Sequence, residues 1–312
     1  MHTFADILAV LVVLLLTAVL FVHYRGRVRL KFLRQVTDHS TFTAPYNALV
    51  YLFSKVPTKP YLSLADFPDL APLNEAWETV REEGLKLARE DKVRPATGDN
   101  DAGFHTFFKR GWTRFYLRWY GTTPPSALRE CPKTVEILNK APSVKGAMFA
   151  LLPPRAKLGK HRDPFAGSLR YHLGLATPNS PNCWIEVDGQ RASWRDGEGL
   201  LFDETYVHEV KNETDEHRLI LLCDVERPLR GPMAGVNRWM MKRVMGATAT
   251  QNEAGEKVGA INRAFGPLYR LSGYGKRLKA KNRRLYYALK YTVLSVLAVG
   301  VAAAIAAPYV TL

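Results

Sequence analysis

Cysteine is rare in this sequence, which has three among 312 residues, at Cys131, Cys183 and Cys223. Because they are widely spaced and odd in number, they form neither a disulfide framework nor the paired motif of a structural zinc site. Their rarity predicts that the folded part of the chain lies in a reducing compartment. The sequence also lacks an internal repeat, a glycine-rich phosphate loop and a paired nucleophile and general base.

Acidic residues are in the minority, because 29 Asp and Glu face 44 Lys and Arg and leave a net charge of +15. A surplus of this size indicates an anionic partner, either nucleic acid or a membrane surface. Two apolar runs favour the membrane, since Phe4 to Val22 contains one charge, at Asp6, and Tyr291 to Val310 contains none. Each run is long enough to cross a bilayer as a helix. We therefore predict N- and C-terminal transmembrane helices, a bilayer partner and no nucleic acid partner.

Positive charges flank both apolar runs on the side of the central domain. They are Arg25, Arg27, Arg29, Lys31 and Arg34 after the first run, and Arg270, Lys276, Arg277, Lys279, Lys281, Arg283, Arg284 and Lys290 before the second. Cationic flanks remain in the cytoplasm and attract anionic lipid. The pattern predicts an inner-membrane protein whose central domain faces the cytoplasm and whose termini lie on the far side.

Three side chains in the central domain have the spacing of a metal site. His161 and Asp163 lie two residues apart, and His208 follows 45 residues after Asp163. Two imidazoles and one carboxylate form the facial triad of non-haem iron enzymes, which leaves coordination positions open. Because residues i and i+2 of a strand point to one face, His161 and Asp163 can reach one ion from a single strand end. His208 is expected from another strand of a two-sheet barrel.

A candidate pocket for a dicarboxylate lies in the same region. Arg170 and His172 share a face of the apolar strand at residues 168–175, and Arg218 begins a second apolar strand. An unpaired guanidinium is costly to bury there, so it predicts an anionic ligand. Arginine suits bidentate contacts with a carboxylate, and 2-oxoglutarate has one at each end.

Linked motifs of this region resemble the aspartyl/asparaginyl β-hydroxylase family, and the membrane-flanked arrangement is most similar to its bacterial lipid A 2-hydroxylases. The motifs are His161-Arg162-Asp163, Leu169 to Leu175, Phe202-Asp203-Glu204, His208-Glu209-Val210, and Arg218-Leu219-Ile220 before Asp224-Val225. The resemblance implies a mainly β fold with flanking α-helices, built on a double-stranded β-helix or jelly roll. It also implies Fe(II) held by His161, Asp163 and His208, with 2-oxoglutarate and O2 as co-substrates.

The same resemblance implies roles in the pocket and a substrate. Arg170 and His172 would lie near the C1 carboxylate of 2-oxoglutarate, and Arg218 at the distal one. The substrate implied is the 2-position of an acyl chain on lipid A, an anionic membrane lipid. Animal peptide hydroxylases of the family lack a carboxylate at the position of Asp163. Alternatives are a hydroxylase of ornithine-type aminolipids, a peptide aspartyl/asparaginyl β-hydroxylase, and an iron-binding membrane scaffold without turnover.

The chain is divided for these predictions into five segments. They are an N-terminal anchor (1–24), a basic juxtamembrane linker (25–71), the dioxygenase domain (72–230), a basic amphipathic membrane-associated region (231–290) and a C-terminal transmembrane helix (291–312). Three local expectations can be compared with the structure: residues 38–70 form a loop-rich linker, residues 104–108 a strand, and Asp203 or Glu204 orients a metal-binding imidazole.

Overall fold

Two antiparallel sheets form the body of the molecule in a computed structural model, which describes residues 4–32, 38–95, 101–292 and 295–296. The larger sheet has the strand order β1-β8-β5-β10-β3-β2, and the smaller has β4-β9-β6-β7. The strands are β1 (Tyr61–Leu62), β2 (Thr113–Trp119), β3 (Val144–Leu152), β4 (Lys157–His161), β5 (Ser168–Ala176), β6 (Cys183–Val187), β7 (Gln190–Ser193), β8 (Gly199–Phe202), β9 (His208–Asn212) and β10 (Arg218–Glu226). The arrangement confirms the predicted mainly β, jelly-roll core.

Strand periodicity divides the interior into two cores. Leu169 and Tyr171 of β5 pack with Leu221 of β10 on the face of the large sheet that carries helices. On the opposite face, Ile220 and Leu222 pack with side chains of the small sheet. Because successive residues of a strand point to opposite faces, Arg170 and His172 lie on the face toward the small sheet. Both faces of β5 and β10 are therefore buried.

The described residues also form helices. They are α1 (Phe4–Tyr24), α2 (His39–Phe42), α3 (Ala44–Leu52), α4 (Ala71–Glu75), α5 (Trp77–Arg89), α6 (His105–Phe108), α7 (Pro125–Glu130), α8 (Pro132–Asn139), α9 (Pro232–Met240) and α10 (Ala260–Lys281). In α5, Val80, Gly84 and Leu87 are buried at helical spacing. This spacing places one face of α5 against the outer core, and Ala76 separates α5 from α4.

Two of the local expectations are wrong. Residues 104–108 form a turn and the short helix α6, because Phe104 and Phe107 must both reach Trp112, with ring centroids 4.9 and 5.9 Å away. Residues 38–70 are folded onto the domain, since α3 buries Val50 and Tyr51. Burial of apolar side chains drives that packing. The prolines and aromatic residues on which the linker prediction was based do not indicate it.

Helix α1 occupies the residues where the first membrane span is predicted. Its Ala18 and Val22 pack against Ala44 of α3, while other apolar side chains of α1 are exposed, among them Val13, Leu14, Leu16, Leu20 and Phe21. Among the described residues, the structure contains no helix with both the length and the apolarity required to cross a membrane. The predicted N-terminal transmembrane helix is thus not confirmed. Most of the second predicted span, 291–310, lies outside the described residues.

The chain after the last strand begins with helix α9. Met233 and Asn237 of α9 and the following Met241 point inward at intervals of four residues, and residues Met241–Met245 continue it as a π-helical turn. Val236 and Trp239 are exposed. The predicted helix over 236–245 is present, and its contact with a membrane remains a prediction. Residues from 263 onward form a separate unit, into which α10 extends.

Gly174 provides a test of the packing around β5. An added Cβ at Gly174 would lie 2.0 Å from the carbonyl oxygen of Arg195, whereas one at Gly159 on β4 meets nothing within 4 Å. Gly174→Ala should lower the free energy of unfolding by about 3 kcal/mol, the upper part of the range for overpacking. Chemical denaturation of Gly174→Ala and of the matched Gly159→Ala measures the difference. Equal stability of the two variants would show that the approach of Arg195 to β5 is incorrect.

Candidate metal centre

His161 and His208 meet because their strands are neighbours. His161 ends β4, His208 begins β9, and the two residues pair directly across the antiparallel ladder. Their ring centroids are 4.2 Å apart. Asp163 follows β4 by two residues, and the ligand atoms of all three side chains lie within 4.8 Å of one another. The sequence correctly placed the histidines on different strands, but both strands belong to the small sheet rather than to facing sheets.

Backbone carbonyl groups orient the two imidazole rings. Nδ1 of His161 is 2.7 Å from the carbonyl oxygen of Gly159, and Nδ1 of His208 is 3.0 Å from that of Tyr206. With Nδ1 donating to a carbonyl, each ring keeps Nε2 as a lone-pair donor for a metal. The expectation that Asp203 or Glu204 orients an imidazole is therefore wrong, because local backbone already supplies the acceptors.

Two of the three candidate ligands, His208 and Asp163, are held in the protonation states that a cation requires. Burial and the neighbouring His161 lower the pKa of His208 to about 3, so its ring is neutral at physiological pH. Burial alone would raise the pKa of Asp163, but Arg170 and the two histidines outweigh it and hold that pKa below its ordinary value. A metal ion therefore displaces no proton from His208 or Asp163 when it binds near neutral pH.

Arg170 lies inside a cluster of buried carboxylates. Its Nη2 donates to Asp163 at 3.1 Å and also contacts Glu204, and its Nε donates to Asp224 at 2.8 Å. Tyr120 donates a further hydrogen bond to Asp224 at 2.9 Å. The guanidinium thus holds one oxygen of Asp163, while the other faces His161 with an Oδ1–Nε2 distance of 3.9 Å. This geometry lets Arg170 position the candidate ligand Asp163, and its contact with the C1 carboxylate of 2-oxoglutarate stays a prediction.

Arg218 is arranged differently from Arg170. It is 2% exposed, and its guanidinium lies 4.3 Å from the ring centroid of Trp194. Its Nε has no hydrogen-bond partner, and within the described part of the chain no carboxylate forms an ion pair with it. Burial lowers the pKa of Arg218 to about 10, which leaves it charged at neutral pH. An isolated buried cation of this kind is stabilised by an anionic ligand.

His172 contributes a second unpaired atom to the same cavity. Trp194 Nε1 donates to His172 Nδ1 at 3.3 Å, and the buried Nε2 of His172 has no partner. Burial lowers the pKa of His172 well below its ordinary value, and Arg218 adds to the effect. One cavity is lined by His161, His208, Arg170, His172 and Arg218. The structure therefore brings five of the six predicted site residues to one cavity and places Asp163 beside it.

The remaining walls of the cavity are apolar and aromatic. They consist of Phe104, Phe107, Trp112, Leu158, Ile185, Phe202, Val210 and Leu222. Phe107 contacts the ring of His161 edge-on at 5.1 Å between centroids. Apart from Arg170, Arg218 and the imidazoles, the lining residues carry no charged group, so the cavity suits an apolar group beside a carboxylate.

Three supporting residues were not singled out by sequence reasoning. Asp224 and Tyr120 complete the cluster around Arg170, and Trp194, which was interpreted as core, forms the wall behind Arg218 and His172. Asp224 stands in the last quoted motif, and strand parity places it on the same face as Leu222. That parity was the available signal for Asp224. Tyr120 and Trp194 have no comparable local pattern.

The two arginines give opposite predictions for stability. Arg170→Met leaves buried carboxylates without their cation and should cost about 3–5 kcal/mol of unfolding free energy. Arg218→Met removes an unpaired buried charge at the expense of one cation–π contact, so stability should stay within about 1 kcal/mol of the parent or rise. Chemical denaturation of the metal-free proteins measures both. Equal large losses would mean that Arg218 has a structural anion partner.

This region of the chain is similar in sequence to known proteins. Residues 74–228 match the family model described as aspartyl/asparaginyl beta-hydroxylase. An ornithine lipid ester-linked acyl 2-hydroxylase from Rhizobium tropici is 33% identical over 61% of this chain and 68% of its own length. The human aspartyl/asparaginyl beta-hydroxylase is 30% identical over 50% of this chain and 21% of its own length.

A prolyl-4-hydroxylase structure from Pseudomonas putida aligns with 54% of this chain and 100% of its own, at 21% identity and a TM-score of 0.34. That similarity is too low to bear on the fold. The family match and the extent of the Rhizobium tropici alignment agree with the order of motifs around the metal centre. The chain belongs to the aspartyl/asparaginyl β-hydroxylase family of hydroxylases.

Proposed function

We propose that the protein is an Fe(II)- and 2-oxoglutarate-dependent dioxygenase that hydroxylates the 2-position of an acyl chain in a membrane lipid. The observation that carries the proposal is the convergence of His161, Asp163 and His208 at a cavity that also contains the unpaired Arg218. One side of this cavity can hold a metal, and the other can hold an anion.

The donor set fits a ferrous ion. Two neutral imidazoles and one carboxylate oxygen suit a divalent metal of intermediate hardness and leave positions for further ligands. When bound, iron would supply the activation of O2 that cleaves an unreactive C–H bond, with 2-oxoglutarate oxidised to succinate and CO2 as the hydroxyl group enters the substrate. The chain's own contribution is to orient His161 and His208 through Gly159 and Tyr206, and to hold Asp163 through Arg170.

Arg218 and His172 are the groups that fit the co-substrate. The guanidinium of Arg218 would pair with the distal carboxylate of 2-oxoglutarate and relieve the cost of its own burial. Nε2 of His172 faces the same cavity without a partner. Arg170 is expected to act on the co-substrate only through Asp163, since three carboxylates already contact it.

Similarity to the ornithine lipid hydroxylase favours a lipid substrate, and an ornithine-type aminolipid is the first candidate. The lipid A acyl chain is a second candidate, because the chain's charge of +15 suits a phosphorylated lipid. The apolar cavity walls suit an acyl chain in either case. We further propose that the enzyme works at the cytoplasmic face of the inner membrane, where its cationic segments would meet anionic lipid.

The lipid product provides the direct test of this function. Cells that express the protein should contain an aminolipid or lipid A species heavier by one oxygen atom, with the hydroxyl at C2 of one chain. His208→Ala should reduce its formation by more than about 100-fold, because even groups that only orient metal ligands contribute 10–100-fold. Mass spectrometry with fragmentation of both lipid classes measures the product and its position.

His217→Ala is the matched control, because His217 is exposed and lies outside the cavity. It should leave hydroxylation unchanged. A hydroxylated peptide with no change in any lipid would contradict the lipid assignment. Product formation that survives His208→Ala would contradict the metal centre itself.

Arg218 should govern the use of 2-oxoglutarate. Loss of a charge-assisted, bidentate contact of about 2–3 kcal/mol predicts that Arg218→Met raises the KM for 2-oxoglutarate by at least about 30-fold, whereas Arg218→Lys retains part of the affinity. Steady-state assays of succinate formation measure KM and kcat separately. An unchanged KM in Arg218→Met would remove Arg218 from the co-substrate site.

A further inference from the structure

The loop that carries Asp163 is held from outside the barrel by three helices. This loop, residues 162–167 between β4 and β5, is called the ligand loop below. Asn47 of α3 donates to the carbonyl of Pro164 at 2.9 Å and accepts from the amide of Ala166 at 3.0 Å. Asn237 of α9 donates to the carbonyl of Gly167 at 3.0 Å.

Further contacts join the same helices to the ligand loop and to each other. The rings of Tyr46 and Phe165 stack with centroids 5.4 Å apart, and the hydroxyl of Tyr46 donates to Asn237 at 2.6 Å. Arg162 donates to the carbonyl of Val22 at the end of α1. Helices α1, α3 and α9 are thus fixed relative to a metal ligand through buried polar contacts.

The outer sides of α3 and α9 are apolar and uncovered. Phe42, at the end of α2, is 81% exposed, Leu52 is 73% exposed and Trp239 is 59% exposed; Leu49 and Val236 are also exposed. Leu49 and Leu52 lie three positions apart on α3, and Val236 and Trp239 lie three apart on α9, so each pair shares one helix face. We call these five residues the outer face.

The exposed charges on α9 and its π-helical extension have one sign. Arg238, Lys242 and Arg243 are exposed on α9 and its π-helical extension, and neither α3 nor the segment 232–245 contains an acidic residue. Apolar side chains flanked by cations form the pattern of a helix that lies in the interface of an anionic bilayer. A globular partner would instead be expected to present polar groups at its rim.

We propose that the outer face rests on an anionic bilayer, with Trp239, Leu52 and Phe42 at the level of the headgroups and upper acyl chains. The contact would set the catalytic domain, and with it the ligand loop, at a fixed height above the lipid. This proposal depends on the proposed function, because it takes the substrate to be a membrane lipid. It adds the part of the domain that meets the membrane.

Trp239 makes the proposal measurable in the full chain. Of the six tryptophans, Trp112, Trp119, Trp184 and Trp194 are buried and Trp77 is partly buried, so Trp239 is the exposed one. The protein is reconstituted into vesicles of phosphatidylglycerol and phosphatidylcholine, with brominated phosphatidylcholine as the quencher. We expect strong quenching of tryptophan fluorescence that Trp239→Phe abolishes, and protection of Trp239 from aqueous acrylamide compared with detergent solution.

Two relocated tryptophans supply matched controls in the Trp239→Phe background. Phe42→Trp places the indole on the outer face and should restore quenching by brominated lipid. Leu128→Trp places it on α7, a helix that contains no outer-face residue and on which Leu128 is 55% exposed, and should not. Replacing phosphatidylglycerol with neutral lipid should reduce the quenching of Trp239, as should the combined variant Arg238→Gln, Lys242→Gln, Arg243→Gln.

Several outcomes would overturn the proposal. They are quenching that persists without Trp239, equal quenching at positions 42 and 128, and shielding of Trp239 in detergent that increases with protein concentration. The last result would assign the outer face to a second copy of the chain. The fluorescence readout is independent of catalysis. If Trp239 is not quenched but lipid is still hydroxylated, the membrane contact is refuted and the proposed function stands. If Trp239 is quenched but no lipid is hydroxylated, only the proposed function is refuted.

Discussion

The buried charge cluster around Arg170 is the constraint on which the site depends. One guanidinium contacts Asp163, Glu204 and Asp224 in a largely buried region. Burial raises the pKa of Glu204 well above its ordinary value, and the neighbouring Asp224 and Asp163 act in the same direction. Even with Glu204 neutral, the carboxylates of Asp163 and Asp224 outnumber the single guanidinium, and this excess of negative charge favours a cation beside Asp163. The same contacts that stabilise the barrel prepare the place for a metal.

Each of the two sheets contributes different residues to the site. The small sheet supplies the two histidines from adjacent strands, and the large sheet supplies Arg170, His172 and Arg218 from β5 and β10. Because the large sheet is buried on both faces, its inward side chains cannot move without disturbing the outer core. The end of the cavity that contains Arg218 is therefore rigid. Such rigidity suits a small co-substrate that must be placed accurately beside a metal.

The sequence was sufficient to identify the three side chains that meet at the candidate metal centre and to place β5 and the start of β10. The spacing of His161 and Asp163 and the two-residue period of β5 specify directions locally, so they can be interpreted without a fold. The role of Arg170 was beyond that reasoning, since its partners Glu204 and Asp224 come from distant parts of the chain.

Other features depend on tertiary contacts that leave no local pattern. Arg25, directly after α1, contacts Asp203, a partner 178 positions away, and Asn47 contacts Pro164 of the ligand loop across 117 positions. Residues 38–70 were predicted to be a linker because their prolines and aromatic residues show no regular spacing. Tertiary packing, rather than a periodic pattern, folds this segment onto the domain. The N-terminal transmembrane helix was predicted from hydropathy alone, and no helix among the described residues has the length and apolarity to cross a membrane.

One ferrous ion and one molecule of 2-oxoglutarate are proposed to share the cavity between His161, Asp163, His208 and Arg218. Anaerobic titration of the purified protein, followed by optical absorption, tests this arrangement. We expect one iron and one 2-oxoglutarate per chain, with a charge-transfer band that requires both and disappears in His208→Ala. A band that is absent from the parent protein, or that persists without His208, would contradict it.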